Sequence, residues 1–252
     1  MEGPVHMDIC QQEKTIVNGV PITFKFYPTQ DSFRLMANTD EQYQVEISEA
    51  IIKVCHVELN PAVIVAHNES FNLTDAVYPM FKSDIKTYGI PNGNYTFSIE
   101  DPYNGNIPAN LVIGFVASAA YAGNYKRNPF NFYNYGISYI EFLIDGESVP
   151  GRPLQPDFDN GDWTTAYLSL FYNKYPQHNG NFISRQDYPN GYCLFVFNIE
   201  DVANTDILTK DKKGHTRVNI NFSSALSEPV TAILYSKFPS VLKIDKTRNV
   251  II

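Results

Sequence analysis

Residues Asn128–Asn160 read NPFNFYNYGISYIEFLIDGESVPGRPLQPDFDN. The run Ile137–Ile144 is apolar at nearly every position, so as a strand it must be covered on both faces, by a second sheet and a loop or by another subunit. Four aromatic residues, Phe130, Phe132, Tyr133 and Tyr135, precede it, and Pro153, Pro156 and Phe158 follow it. Aromatic clusters of this kind stack on sugars or bases, or fill a sheet or subunit interface where large rings dominate the burial. The stretch holds no residue set that could run a reaction. It reads as a loop, a doubly covered strand and a proline-rich crossing into a helix capped by Asp159 or Asn160.

Working outward, the 252-residue chain is 44% hydrophobic and 14% aromatic, with 17 Tyr, 17 Phe and one Trp. Rings at that density favour a pleated surface, and 14 Gly with 16 Pro supply frequent turns, which predicts a β-rich protein. The net charge of −8 and the scarcity of basic runs (Lys126-Arg127, and Lys210–Lys213 interrupted by Asp211) argue against direct nucleic-acid binding. Cys10, Cys55 and Cys193 are too few and too far apart for a disulfide framework or a paired metal motif. Cys55 and Cys193 lie in apolar runs and are expected buried, in a reducing compartment. No apolar run approaches membrane-helix length, and Met1–Cys10 does not read as a signal peptide.

Strand patterns recur along the chain. Ile22, Phe24 and Phe26 alternate with Thr23 and Lys25; Val45 and Ile47 alternate with polar residues before an apolar run through Ile51–Leu59. Leu111–Val116 and Tyr192–Phe197 read as covered strands. Val218, Ile220 and Phe222 alternate with Arg217, Asn219 and Asn221, the mark of a half-exposed strand; Val230–Tyr235 and Val241–Ile244 complete the set. Asn60 and Pro61 open one helix over Ala62–Glu69, and Trp163–Tyr172 form another with Leu168 and Phe171 or Tyr172 inward. Long loops are expected at Tyr103–Pro108, Ser118–Tyr133 and Tyr172–Pro189. Many short strands with few helices predict an all-β sandwich or jelly roll. The order of strands and turns in residues 5–59 also resembles that in residues 192–244, a hint of duplication in which the first copy lacks its front half.

Catalytic and ligand patterns fail one by one: GxSxG, HExxH, Walker and GxGxxG sequences are absent. His6, His56, His67, His178 and His215 are isolated in sequence, and His56 reads as a core side chain. Acids gather at Glu100-Asp101, Asp157–Asp162 and Glu200-Asp201. They could serve a glycosidase, given two facing carboxylates such as Glu141 and Asp157, or hold Ca²⁺ in a binding module. The plainer reading is that Asp and Asn beside Gly and Pro form turns and caps. No cofactor or metal is expected.

A series of motifs then runs nearly end to end: Asn18-Gly19-Val20, Asp31-Ser32-Phe33-Arg34-Leu35-Met36, Leu59-Asn60-Pro61-Ala62-Val63, Tyr88-Gly89-Ile90-Pro91-Asn92-Gly93, Leu111–Val116, Asn128–Phe132, Asp145-Gly146, Pro153-Leu154-Gln155-Pro156-Asp157-Phe158, Asn190-Gly191-Tyr192 and Val241–Asp245. In this order they resemble the major capsid protein of Maverick/Polinton elements and adintoviruses, of the double jelly-roll capsid lineage that includes adenovirus hexon. The Pro153–Phe158 block is the most specific of them.

The resemblance implies a non-enzymatic virion subunit. It would form a homotrimer, a pseudo-hexagonal capsomer that meets neighbouring capsomers and minor or penton capsid proteins in an icosahedral shell, assembled inside the host cell without a membrane. Such proteins hold two jelly rolls. Residues 1–59 are then expected to be the closing strands of a truncated first one, and residues 60–252 a complete second one. The candidate subunit-interface residues are Phe130, Phe132, Tyr133, Tyr135, Pro153, Pro156 and Phe158. The alternatives are a jelly-roll carbohydrate-binding or adhesin module, using the aromatics and the Asp157–Asp162 acids, and a jelly-roll glycosidase.

Overall fold

The computed structural model of the protein describes residues 2–11, 14–38, 43–171, 183–199 and 212–251. After a 3-10 turn at Asp8–Gln11, the elements in chain order are α1 (Asp31–Arg34), α2 (Pro61–Phe71), β1 (Ala76–Ile90), β2 (Thr96–Glu100), β3 (Asn110–Ala117), α3 (Ser118–Tyr121), β4 (Phe132–Tyr133), β5 (Ile137–Ile144), β6 (Glu147–Leu154), α4 (Thr164–Ser169), β7 (Asn190–Gly191), β8 (Leu194–Asn198), β9 (Thr216–Phe222), β10 (Val230–Ile244) and β11 (Val250–Ile251). The expectations placed on Glu200-Asp201, His178, Lys210-Asp211 and most of the loop after Tyr172 lie outside the described residues.

Two sheets form, with strand orders β1-β10-β3-β8 and β2-β9-β5-β6. The pairing is nested: β1 with β10, β2 with β9, β3 with β8 and β5 with β6, alternating between the sheets. A chain folded back on itself as one long antiparallel ribbon and then wound over gives this order, which is that of a jelly roll. The fold is therefore an all-β jelly-roll sandwich with short helices in its loops, as the sequence predicts. A two-stranded ribbon, β4 with β7, pairs with neither sheet.

The chain divides into two compact units, one of residues 29–44 and 83–238, the other of residues 1–28, 45–82 and 239–252. In the first, the core between the sheets is made by Leu111, Ile113 and Phe115 of β3, Phe195 and Phe197 of β8, Ile140 and Phe142 of β5, and Val218 and Ile220 of β9. Strand β9 buries every second residue, as its alternation requires. Strand β3 sits between β10 and β8 and is buried almost throughout. Its outward Gly114 is covered by Phe132 of β4, so a loop supplies the second cover. Deep in the unit, the Tyr103 and Ser236 hydroxyls hydrogen-bond each other, which satisfies the fully buried Ser236 of β10.

The second unit has a smaller core of Tyr78, Leu242 and Ile244, packed with Ile9, Ile16, Val17, Val20, Ala76 and Met80. The Tyr78 hydroxyl accepts from the Val17 amide at 3.0 Å and donates to the Thr15 carbonyl at 3.3 Å. Helix α2 starts as expected, Asn60 Oδ1 accepting from the Ala62 amide at 2.9 Å behind a first-turn proline. None of its residues is buried.

Several readings are corrected. Residues 21–27 and 44–59 form no strand among the described residues, and apart from the half-buried Phe24 their apolar side chains are exposed, Ile51 at 73% and Phe26 at 62%. Alternation marks a chain able to pair, but a strand exists only where a second chain supplies the ladder. Cys55 and His56 share that exposure and are not core residues, whereas Cys193 is fully buried. Val230–Tyr235 and Val241–Ile244 are one continuous strand, the polar Ser236-Lys237 step notwithstanding. In α4 the buried residues are Ala166 and Ser169, with Leu168 and Phe171 exposed, and Trp163 rather than Asp159 or Asn160 precedes the helix. Ser169 Oγ accepts from the Val196 amide at 3.2 Å, so the helix covers the edge of β8.

Candidate functional site

Nested pairing brings four connections to one end of the sandwich: β1–β2, β3–β5, β6–β8 and β9–β10. Main-chain hydrogen bonds knit them together. The Gly93 amide donates to the Leu226 carbonyl at 2.8 Å, Ser223 to Gly136 at 2.7 Å, Ser118 to Pro229 at 3.0 Å and Cys193 to Phe132 at 2.9 Å. Asn134 bridges two connections, donating through Nδ2 to the Pro189 carbonyl at 3.0 Å while Oδ1 accepts from the Gly136 amide at 2.8 Å. An Arg127–Glu228 ion pair closes the outer rim.

The aromatic cluster belongs to this end. Phe130 is 63% exposed, and its amide donates to Asn128 Oδ1 at 2.9 Å in a turn set by the Asn128-Pro129 pair. One side of its ring meets Phe33 edge-on, centroids 5.8 Å apart. Tyr133, 45% exposed, stands edge-on to Tyr135 at 5.4 Å. Tyr135 sits at φ +46 before Gly136 at φ +64, and the left-handed pair turns the chain into β5. Burial pushes the Tyr135 hydroxyl up to about 12, helped by Glu228 and opposed by Arg127.

Pro153, Pro156 and Phe158 leave the sandwich where the aromatic loop enters it, because Ile140 near the start of β5 pairs with Leu154 at the end of β6. Pro156 is buried, Pro153 half-buried, and Phe158 packs half-buried against the core. Of the seven candidates, only Phe130 and Tyr133 are exposed. Beside Phe158, Asp157 Oδ1 accepts from the Asn160 amide at 3.0 Å and Oδ2 from its side chain at 2.7 Å, and these bonds hold the Asp157 carboxyl below its usual range. The acids there build a turn.

The sequence reading overlooked partners of the cluster. Gln30, Phe33, Ala37 and Tyr43 reach the β3–β5 connection from the segment that carries the Asp31–Met36 motif. Leu35, Met36, Ala37, Asn38, Tyr43 and Gln44 line a concavity of about 490 Å³. A second, of about 230 Å³, lies on the outer face of the other sheet between Leu143, Gly146, His215, Arg217 and Asn219. Glu141 alternates with the core residues Ile140 and Phe142, and its carboxylate accepts from the Tyr139 hydroxyl at 2.8 Å. Among the described residues, no three His, Cys, Asp or Glu side chains gather as a metal site would require. Burial pushes the Cys193 thiol up to about 12, which keeps it protonated and unreactive. No helix among the described residues is long and apolar enough to cross a membrane.

No protein-family model matches the chain. The chain is similar to an uncharacterised protein of Caenorhabditis elegans, 23% identical over 265 residues that cover 98% of this chain and 61% of that protein. It therefore spans less than two thirds of the relative's length. Among solved structures it is similar to the mavirus major capsid protein, at 10% identity and a TM-score of 0.38, over 70% of this chain and 41% of that one. It is also similar to a chain of the Sputnik virophage structure, at 15% identity and a TM-score of 0.40, over 70% and 38% respectively. The jelly-roll assignment rests on the strand order and not on these overlaps.

Proposed function

We propose that this chain is a capsid-type structural subunit of the Maverick/Polinton and adintovirus kind, contributing a jelly roll to a trimeric, pseudo-hexagonal capsomer, and that it is not an enzyme. The observation that carries this reading is the nested strand order of residues 76–244, taken with the ordered motifs that resemble that family. Phe130 and Tyr133, held at the looped end of the sandwich, are the rings that a neighbouring subunit would cover. Residues 1–59 would be the closing strands of a first jelly roll. The exposed apolar side chains of Ile47, Ile51, Val54 and Val57, in a stretch that forms no strand among the described residues, support that assignment, since such a pattern needs a sheet to complete it.

Sedimentation velocity of the full chain over a wide concentration range tests the proposal. A trimer that dissociates when Phe130 and Tyr133 are both changed to Ser is the expected result. A strict monomer at high concentration would end the capsid reading.

A further inference from the structure

Residues 29–38 leave the neighbouring chain segments and lie against the β3–β5 connection at points that do not repeat any ladder. The Gln30 side-chain amide donates to the Ala122 carbonyl, and the Ala37 amide donates to the Tyr125 carbonyl at 2.8 Å. Phe33 meets Phe130 edge-on at 5.8 Å. In return, the Tyr125 hydroxyl donates to the Tyr43 carbonyl at 2.9 Å. The approach at Gly123 is close enough to exclude a side chain. A Cβ there would stand 2.7 Å from Ser32 Oγ, and the residue sits at φ +93, where only glycine is comfortable. Helix α1 in the middle of the segment is held by an Asp31–Arg34 ion pair. These contacts join one short segment to one loop through two main-chain carbonyls of the loop, with a ring pair between them.

The loop is also tied by the Ser118 amide to the Pro229 carbonyl and by the Arg127–Glu228 ion pair; between these points its main chain makes local turns, Ala122 to Ser118 and Gly123 to Ala120 through α3, then Arg127 to Asn124. Tyr121 and Phe130 are exposed. With residues 29–38 removed, the Ala122 and Tyr125 carbonyls would turn to water and Phe130 would lose the ring that orients it. Local turns with few buried apolar contacts are where a fold opens first.

We propose that residues 29–38 are an intramolecular clasp that pre-organises the β3–β5 connection and so sets the pose in which Phe130 is offered to a second copy of this chain. The second half of this statement rests on the capsid reading; the first does not. A clasp of this kind contributes to association by removing the cost of ordering the loop when the neighbour arrives. It also makes subunit contact depend on a segment remote in sequence from the contact itself.

Hydrogen exchange on the full chain tests the clasp, comparing the parent with a Gln30→Ala/Phe33→Ala variant and with Gly123→Ala. Both variants should speed exchange at the 118–130 amides at least about tenfold while leaving β3 and β8 unchanged. Exchange unchanged in the double variant would overturn the clasp. Acceleration spread equally through β3 and β8 would also overturn it, by making the segment part of the global fold. Gly123→Ala perturbs the loop directly, so the double variant decides if the glycine variant fails to fold. Sedimentation separates the two claims. A parent that never associates removes the capsid reading and leaves the clasp standing on exchange. A parent that associates as strongly as the opened double variant overturns the pre-organising role.

Discussion

The ring of Phe132 fills the space above Gly114 that any side chain would need: a Cβ on Gly114 would lie 2.6 Å from Cδ1 and 2.9 Å from Cε1 of that ring, and 2.8 Å from Leu194 Cδ2. Gly114 is on β3, in the middle of its sheet, where glycine otherwise weakens a strand. Its value is the close approach it gives β4. The β4–β7 ribbon can then lie on the outer face of the sheet, and the aromatic loop is anchored two residues from Phe130.

Gly114→Ala should therefore destabilise the sandwich by overpacking, by about 1–3 kcal/mol. For a chain of this size that lowers Tm by roughly 2–4 °C per kcal/mol. The shift should shrink when Phe132→Leu is added, since a smaller side chain frees the space. Equal melting temperatures for parent and Gly114→Ala would show that β4 can move aside at no cost.

High pH should weaken the fold before low pH reaches its core. The Cys193 thiol is raised by burial from an ordinary 9.0 to about 12, and the Tyr135 hydroxyl from 10.0 to about 12. Burial also raises the Tyr103 and Tyr188 hydroxyls. Each group binds its proton more tightly folded than unfolded. Their contribution is complete below the ordinary values and is lost as pH climbs from about 9 towards 12. Thermal melts from pH 8 upward should fall progressively across that window, and Cys193→Ala should flatten the earliest part of the fall. A Tm that stays level to about pH 11 would contradict the burial of these groups.

Residues 45–59 should govern solubility without governing the stability of the sandwich. Ile47, Ile51, Val54 and Val57 are all exposed and lie outside both hydrophobic cores. Exposed apolar chain of this kind invites edge-to-edge association. The triple change Ile51→Ser, Val54→Ser, Val57→Ser should reduce light scattering at a given concentration. The Tm of the sandwich should move by less than about 0.5 kcal/mol equivalent, as for other surface positions. A loss of several degrees would place these residues in a folded core.

Two strands, β1 and β6, carry little mark of themselves in the sequence. β1 is fifteen residues long, yet Lys82, Asp84 and Lys86 interrupt its apolar pattern because it is an edge of its sheet, with β10 alone beside it. β6 was masked by Pro150 and Pro153, which an edge strand tolerates and a central strand does not. Its signal was present: Asp145 at φ +52 and Gly146 at φ +88 make the two-residue turn between β5 and β6, and Asp-Gly between apolar runs marks a hairpin. Phe33 could not have been placed beside Phe130 from the sequence, since nothing local links positions so far apart.

The sequence by itself determined the class of this protein: strand-forming rings, frequent turns, the covered runs of β3, β5 and β8, the alternation of β9 and the Asn60-Pro61 helix start all follow from local chemistry. Tertiary structure alone decided which of the alternating segments became strands, because a ladder needs a partner and only nested pairing supplies one. It also decided which aromatics face outward. Periodicity gives a side chain's face relative to its neighbours, but whether that face meets a second sheet, a ribbon over Gly114 or water depends on where the winding brings the rest of the chain.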